Sequence, residues 1–469
     1  MVRFLHRPET LARAALALCA YAALTLTFTG APAEAAVSGA RSQPAAARPV
    51  SSRSVVRAGS ARASIYPAGA ERPAIVARAS EFASSRPPGV RPRTPAHASS
   101  HASHKPAKPA KPALHGNPAR ALVAFEAMQK AYYIPGSGLY EGEPFSYLWP
   151  FSQALAATVD LANIPHLPAS LSRAFSHEIQ VRLGGLQSYL DTDNSGAPEG
   201  AFTSTLAAFD GTVAPPAGPG GTKYYDDNDW VGIELVRAYK LTHETALLGS
   251  AEGIMAFEIA GWQTSPELAC PGGIPFSNAI ENTDRNTVTT APAAELAVQL
   301  YRLTGDAQYL QFAEMAYEWV RNCLLTPGGL YADHIDTKGV VEATFWSYNQ
   351  GSMIGAGTLL YQATGNGAYL YQARQTAQAA LAYFTPERLA SEVPFFPAVY
   401  FRNLLYLDSV THDPPGPQIA QNYVNYAWQH LRLSDNLFVS GSPPSSQLLV
   451  QAPIVEIYAM LSATPSTYF

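Results

Sequence analysis

One eleven-residue pattern recurs at a spacing of 60 residues, and it restricts the fold of this chain more than any other feature. Leu300-Tyr301-Arg302-Leu303-Thr304-Gly305-Asp306-Ala307-Gln308-Tyr309-Leu310 is echoed by Leu360-Tyr361-Gln362-Ala363-Thr364-Gly365-Asn366-Gly367-Ala368-Tyr369-Leu370, and a degenerate copy runs from Val236 to Glu244. Each copy reads as a helix end, a tight turn and a helix start. Glycine after threonine accepts the left-handed conformation that terminates a helix. Asp306 or Asn366 then offers a side-chain oxygen to cap the next helix. So short a link forces the two helices antiparallel, and repeats of this period predict stacked helical hairpins. Counting along the chain places the first helix of each hairpin near 118–133, 169–190, 245–262, 306–324, 366–384 and 416–432. The partners fall near 147–162, 227–242, 286–303, 347–363, 397–410 and 447–462. Six and six predict an all-α, closed (α/α)6 barrel rather than an open superhelix, because six pairs fit one domain of about 350 residues without polar capping repeats.

The helical region is only part of the 469 residues. Residues 1–36 have the order of a secretory signal: Arg3, Arg7 and Arg13, an apolar run from Ala14 to Phe28, then Ala33-Glu34-Ala35. The run is shorter than the roughly 20 residues of a comfortable membrane span; an uncleaved anchor is the alternative. Residues 37–117 are rich in Ala, Pro, Ser and Arg and end in a Lys-Pro-Ala repeat. They lack the large apolar side chains needed to offset the entropy of ordering, so they are expected to form a disordered, semi-rigid tether. With 13 Arg and Lys against 2 Glu, this tether carries +11, which suits electrostatic association with an anionic cell wall; a merely soluble linker is the alternative. Residues 118–469 then hold 15 basic against 32 acidic residues, a net −17. That balance excludes nucleic acid as a partner, because phosphate binding needs clustered Lys and Arg.

The long links all fall at one end of the predicted barrel, near 191–226, 263–285, 325–346, 385–396 and 433–446, and sites are built where ordered loops gather on a rigid scaffold. In that setting the sharpest motif is Lys223-Tyr224-Tyr225-Asp226-Asp227-Asn228-Asp229-Trp230, which opens a partner helix. One or two acids at a helix start cap N–H groups and complement the dipole. Three within four positions, flanked by Tyr224, Tyr225 and Trp230, exceed that need. Crowded carboxylates repel, so one stays protonated while another ionises, and this separation of roles is what glycoside hydrolysis requires.

With these residues the chain resembles glycoside hydrolase family 76, the α-1,6-mannanase family, whose fold is an (α/α)6 barrel. The family signature Tyr-Asp-Asp-Asn-x-Trp matches Tyr225 to Trp230, and Tyr-Asn-Gln-Gly matches Tyr348-Asn349-Gln350-Gly351. Gly272-Gly273-Ile274 and Gly329-Leu330-Tyr331-Ala332-Asp333 match two further segments. The likeness is strongest over 224–384 and weak after 390. It implies a retaining mechanism with Asp226 as nucleophile and Asp227 as acid and base, and carboxyls about 5–5.5 Å apart. It also implies sugar contacts from Tyr225, Asn228, Trp230, Tyr348, Asn349 and Gln350, while their positions in the chain suggest that Asp333 holds a hydroxyl and that Trp149, at the start of the first partner helix, lines the cleft. Helix capping by Asn349, a turn role for Asp333 and a core role for Trp149 are the alternatives. The chain departs from the family where Pro275-Phe276 follow Ile274 and where Asn286-Thr287-Val288-Thr289-Thr290 stands in place of an Asn-Ala-x-x-Asn run; these positions are expected to shape substrate subsites.

The expected protein is a secreted, monomeric, endo-acting α-mannan hydrolase that needs no cofactor or metal. A transglycosylase using the same covalent intermediate is the alternative within enzymes. A non-catalytic glycan-binding wall protein is the alternative outside them. Asp191-Thr192-Asp193-Asn194-Ser195-Gly196 resembles the start of a calcium loop, but position 12 is Phe202 rather than Glu, so a plain turn is expected. The 11 histidines show no zinc spacing. Cys270 and Cys323 sit near the loop-rich ends of consecutive outer helices and can pair if their Cα atoms come within about 7 Å.

Overall fold

The structure is a computed structural model and describes residues 114–192, 206–413, 415–441 and 447–469. The expected leader, the tether up to residue 113 and the calcium-loop-like segment from residue 193 onward lie outside the described residues.

Six outer helices alternate along the chain with six inner ones. The outer set is α1 (Gly116–Tyr132), α3 (Ala169–Leu186), α5 (Thr245–Gly261), α7 (Ala307–Leu324), α9 (Gly367–Tyr383) and α12 (Gly416–Tyr426, continued by a π-helical turn Ala427–Leu431). The inner set is α2 (Leu148–Ala162), α4 (Tyr225–Thr242), α6 (Thr287–Thr304), α8 (Ser347–Thr364), α11 (Phe395–Thr411) and α13 (Leu448–Met460). A short α10 (Pro386–Ser391) lies in the link before α11. Around the inner ring α2 packs on α4, α4 on α6, α6 on α8, α8 on α11 and α11 on α13, and α13 returns to α2. The barrel is therefore closed, as expected from six hairpins.

Burial separates the two sets. Every residue of α6 from Thr287 to Leu300 and of α8 from Ser347 to Leu360 is buried, as for a helix enclosed on all sides. The outer α7 buries one stripe, Phe312, Ala313, Ala316, Tyr317, Trp319, Val320 and Leu324. Close packing of inner helices depends on small residues: a Cβ on Gly351 of α8 would lie 2.7 Å from the Tyr400 backbone of α11.

The repeated turns work as the sequence predicts. Gly305 (φ 76°) and Gly365 (φ 73°) take the left-handed cap, donating to Tyr301 O and Tyr361 O. Asp306 then accepts from Gln308 N–H at 2.9 Å, and Asn366 from Ala368 N–H at 3.1 Å. In the degenerate turns His243 and His412 adopt the same conformation without glycine.

Every inner helix starts at the end that carries the longer links, and short strands brace those links. β1 (Leu190–Asp191) pairs with β2 (Ala208–Phe209). β3 (Arg285–Asn286), β4 (His334–Ile335) and β5 (Val341–Glu342) form an antiparallel sheet in that order. Cys270 and Cys323 are disulfide-bonded with Cα atoms 6.2 Å apart, tying the link after α5 to the end of α7. Within the barrel, Arg402 donates to Asp160 at 2.6 and 3.0 Å, and Arg237 donates to Glu234 at 2.8 Å and to Asp160. Such buried charges are tolerated because each is paired and hydrogen-bonded. Among the described residues no helix is long and apolar enough to cross a membrane.

Candidate active site

The link entering α4 is anchored by a charge that water cannot reach. Lys223 is fully buried, with Nζ 2.6 Å from Asp191 Oδ2 and 3.0 Å from Asp210 Oδ1. Tyr224 follows in extended conformation as the N-cap, and the helix starts at Tyr225. Asp226 and Asp227 thus occupy the second and third positions of the first turn, where backbone N–H groups have no intrahelical acceptor. Asp226 is half-buried and Asp227 is 7% exposed.

Burial raises both carboxyls, but the two environments differ. Desolvation and the nearby Asp333 charge push Asp226 up to about 7, opposed by hydrogen bonds from the Asp226 and Asp227 backbone N–H groups. Desolvation raises Asp227 well above the carboxylate range, the Asp226 charge raises it further, and no opposing hydrogen bond acts on it. Two buried neighbours that repel each other keep a proton between them to a pH at which ordinary carboxyls have lost theirs.

Asp333 arrives from the link between α7 and α8 and is fixed by its backbone: its N–H donates to Glu342 O at 3.0 Å, and its carbonyl accepts from Thr287 N–H at 2.9 Å. Its Oδ1 accepts from Asn349 Nδ2 at 3.2 Å, and Oδ2 lies 3.0 Å from His334 Nδ1. Asn349 is fully buried, and its Oδ1 meets no protein donor. Burial raises the Tyr348 phenol, and the Asp333 and Asp226 charges raise it further. Tyr348 stacks on Phe396 (centroids 4.2 Å, planes 10° apart), Trp149 lies nearly parallel to Phe396 at 6.4 Å, and Trp346 meets it at 5.3 Å. Asp226, Asp227, Asp333, Tyr348, Asn349 and Trp149 thus all belong to the mouth where the inner helices begin.

Four other candidates are placed differently. Tyr225 turns toward α5, stacked on Phe257 at 4.5 Å and over Gly261, where a Cβ would meet its ring at 2.5 Å. Trp230 points into the barrel, edge-on to Phe395 at 5.4 Å, and borders an internal cavity of about 30 Å³ with Glu295, Arg402, Asn403 and Glu456. Asn228 holds backbone: Oδ1 accepts from Phe209 N–H at 2.9 Å, and Nδ2 donates to Phe209 O at 3.0 Å and Tyr224 O at 2.8 Å. Gln350 does the same with Tyr331 N–H, Tyr331 O and Trp346 O. In the structure Tyr225 and Trp230 pack against other rings, and Asn228 and Gln350 clasp links to helices.

The clasp recurs at the same place. Gln451 accepts from Phe438 N–H and donates to Phe438 O, both at 2.8 Å. Asn228, Gln350 and Gln451 are each the fourth residue of their inner helices. Thr290, fourth in α6, accepts from Ile274 N–H at 3.1 Å, while Thr289 donates to Ile274 O at 2.7 Å. Sequence reasoning also missed Phe395 and Phe396, although two phenylalanines between Pro394 and Pro397 mark a helix start facing the links. It missed His334 and Asp284 as well, whose Nε2 and Oδ2 lie 3.6 Å apart beside Asp333.

The sequence profile of Glycosyl hydrolase family 76 matches residues 119–405. The chain is 24% identical over 184 residues to the mannan endo-1,6-alpha-mannosidase DCW1 of Saccharomyces cerevisiae, a match covering 36% of this chain and 40% of the yeast protein. The chain thus spans less than half the length of this curated relative. A family 76 mannosidase from Bacteroides thetaiotaomicron superimposes with a TM-score of 0.64 at 21% identity, covering 74% of this chain and 98% of that one. An α-1,6-mannanase of Salegentibacter sp. HEL1_6 superimposes with a TM-score of 0.57 at 22% identity, covering 74% of this chain and 100% of that one. That structure is an inactive variant, with two consecutive aspartates changed to asparagine, in complex with α-1,6-mannotriose.

Proposed function

The chain belongs to glycosyl hydrolase family 76, and on that premise we propose that it hydrolyses an α-1,6-mannan-like polysaccharide through Asp226 and Asp227. The observation that carries this reading is the pair of consecutive carboxyls in the first turn of α4 at the loop-bearing mouth, both raised by burial. Asp226 attacks the anomeric carbon as Asp227 protonates the departing glycosidic oxygen and the C–O bond breaks. A glycosyl ester of Asp226 results. Asp227, now a carboxylate, takes a proton from water as that water attacks the same carbon and releases Asp226. Two displacements at one carbon retain its configuration.

Tyr348 and Trp149 offer ring faces to a sugar and Asp333 a carboxylate, with Asn349 donating to that carboxylate. The inactive Salegentibacter variant, altered at two consecutive aspartates and holding α-1,6-mannotriose, supports both the residue assignment and the substrate class. An extracellular placement fits the N-terminal segment read as a secretory signal and the Cys270–Cys323 disulfide, which suits an oxidising compartment. We further propose residues 37–117 as a basic tether to the wall and 118–469 as the hydrolase domain.

The test is incubation of the full chain with α-1,6-mannan, following reducing ends and anomeric configuration by NMR. α-Product forms first, and Asp226→Asn and Asp227→Asn each lower turnover by at least about a thousand-fold with the helical circular dichroism retained. β-Product forming first rejects retention, and near-normal turnover in either variant rejects its role.

A further inference from the structure

His334 on β4 has its ring between two carboxylates that belong to different links. Nδ1 is 3.0 Å from Asp333 Oδ2, and Nε2 is 3.6 Å from Asp284 Oδ2, next to β3. The pairing of β3 with β4, Asn286 opposite His334, brings these links together. Glu342 on β5 stands opposite His334 in the same sheet and adds a third negative charge. The nearby cation Arg285 is turned away, donating to the carbonyls of Ala269, Cys270 and Asp336. Among the described residues no lysine or arginine forms an ion pair with Asp333. The hydrogen bond to Asp333, and then the charges of Asp333, Asp284 and Glu342, raise His334 above the ordinary imidazole value against the effect of its partial burial.

Asp333 in turn stands at the mouth that holds Asp226, because its carbonyl accepts from Thr287 N–H at the start of α6 and its Oδ1 from Asn349 at the start of α8. A residue that fixes the charge and direction of Asp333 therefore reaches the reacting carboxyl without touching it. We propose that His334 is a positioning residue: clamped by Asp284, it holds the Asp333 carboxylate toward Asn349 and offsets the negative charge that Asp333 imposes on Asp226. The inference deepens the proposed function and rests on the assignment of Asp226 as nucleophile. Without the imidazolium, the whole Asp333 charge opposes ionisation of Asp226, so the nucleophile forms only at higher pH. The offset is present below the His334 midpoint and fades as pH rises through it.

The experiment uses the full chain. His334→Gln keeps an N–H donor for Asp333 but carries no charge. Its acid limb of kcat/KM is expected to move up by about one pH unit, while the plateau value at higher pH stays within about three-fold of the parent. A loss of kcat/KM that is equal at every pH, or no change at all, overturns the proposal. A second readout does not depend on activity. The His334 proton NMR signal, assigned by its disappearance in His334→Gln, titrates above the ordinary value of about 6.5 and moves down in Asp284→Asn. A His334 midpoint at or below the ordinary value, or one that Asp284→Asn leaves in place, also overturns the proposal. Failure of the nucleophile assignment is distinguishable: it shows as turnover in Asp226→Asn and leaves the NMR midpoints untouched.

Discussion

Replacing Asn228 by Ala separates a clasp from a sugar contact. Asn228 is fully buried and makes three hydrogen bonds with backbone, of 2.9, 3.0 and 2.8 Å, to Phe209 N–H, Phe209 O and Tyr224 O. Truncation leaves the Phe209 N–H and C=O without partners in a buried place. An unsatisfied buried group costs about 1–3 kcal/mol, and partial relaxation of the 206–224 link lowers the total, giving about 3 kcal/mol. Unfolding entropy near 2.1 cal/mol/K per residue over about 350 residues is about 0.7 kcal/mol/K, so the midpoint should fall by about 4 °C. The same link delivers Lys223 and Tyr224 to the start of α4, so kcat should fall with stability. Differential scanning calorimetry of the full chain with and without α-1,6-mannotriose provides the assay. An unchanged midpoint in the free protein, together with at least a ten-fold rise in KM, would show that Asn228 faces the sugar and refute the reasoning.

Three further outcomes are expected. Cys270→Ser opens a loop of 53 residues, for which the chain-entropy account gives about 4 kcal/mol and hence a fall of about 6 °C in midpoint; calorimetry in reductant should give the same value, and a fall below 1 °C would reject it. Burial raises Asp227, Asp229, Glu258 and Glu295 well above the carboxylate range, Glu392 to about 7 and Glu456 to about 8. Groups raised in the fold contribute stability that is complete below their unfolded values near 4 and is lost as pH rises through the folded ones, so the midpoint should fall between pH 5 and pH 8, and a midpoint that rises over that window contradicts the burial of these acids as neutral groups. Tyr348→Ala removes the ring stacked on Phe396 and should raise KM for mannan oligosaccharides roughly ten-fold with a smaller change in kcat, whereas Tyr348→Phe should keep KM within about three-fold; equal effects of the two would assign the role to the hydroxyl instead.

The helices were legible because their signals are local. The Thr-Gly-Asp and Thr-Gly-Asn turns state both the end of one helix and the cap of the next within a few residues, so α7 and α9 lie where the repeat puts them. Helix starts at the mouth were less so. Asp226 was expected just ahead of its helix, but Tyr224 is the N-cap and both acids are helical. Phe396 precedes Pro397, which ordinarily disfavours helix at that residue. Here the proline is the third residue of α11, where no intrahelical N–H bond is needed, so the helix starts two residues earlier than expected and Phe395 and Phe396 join the mouth. The site was legible only as far as its motif is contiguous. Nothing local says that Asn228 will meet Phe209, that Gln350 will meet Tyr331, or that the pairing of β3 with β4 will set Asp284 beside His334. An amide at a helix start serves a backbone peptide or a sugar hydroxyl equally well, and only the packed link decides between them.

Six inner helices begin at the mouth, and their partial positive charges favour anions there. A simple expectation is that both aspartates are ionised. The magnitudes argue otherwise. A helix terminus stabilises an anion by about 0.3–1 kcal/mol, or about 2 in partly buried geometry, which is at most about 1.5 pKa units. Burial of a carboxyl raises its pKa by as much as 3–5 units. Desolvation therefore wins at both positions. Among the inner helices α4 alone carries acids in its first turn, so the crowding of the two carboxyls belongs to one helix start rather than to the ring as a whole. Carbon-detected NMR of the aspartate carboxyls decides between these accounts. Two carboxyls titrating below about pH 4 would make the ring's field dominant, whereas titration of both above that range makes burial the controlling effect.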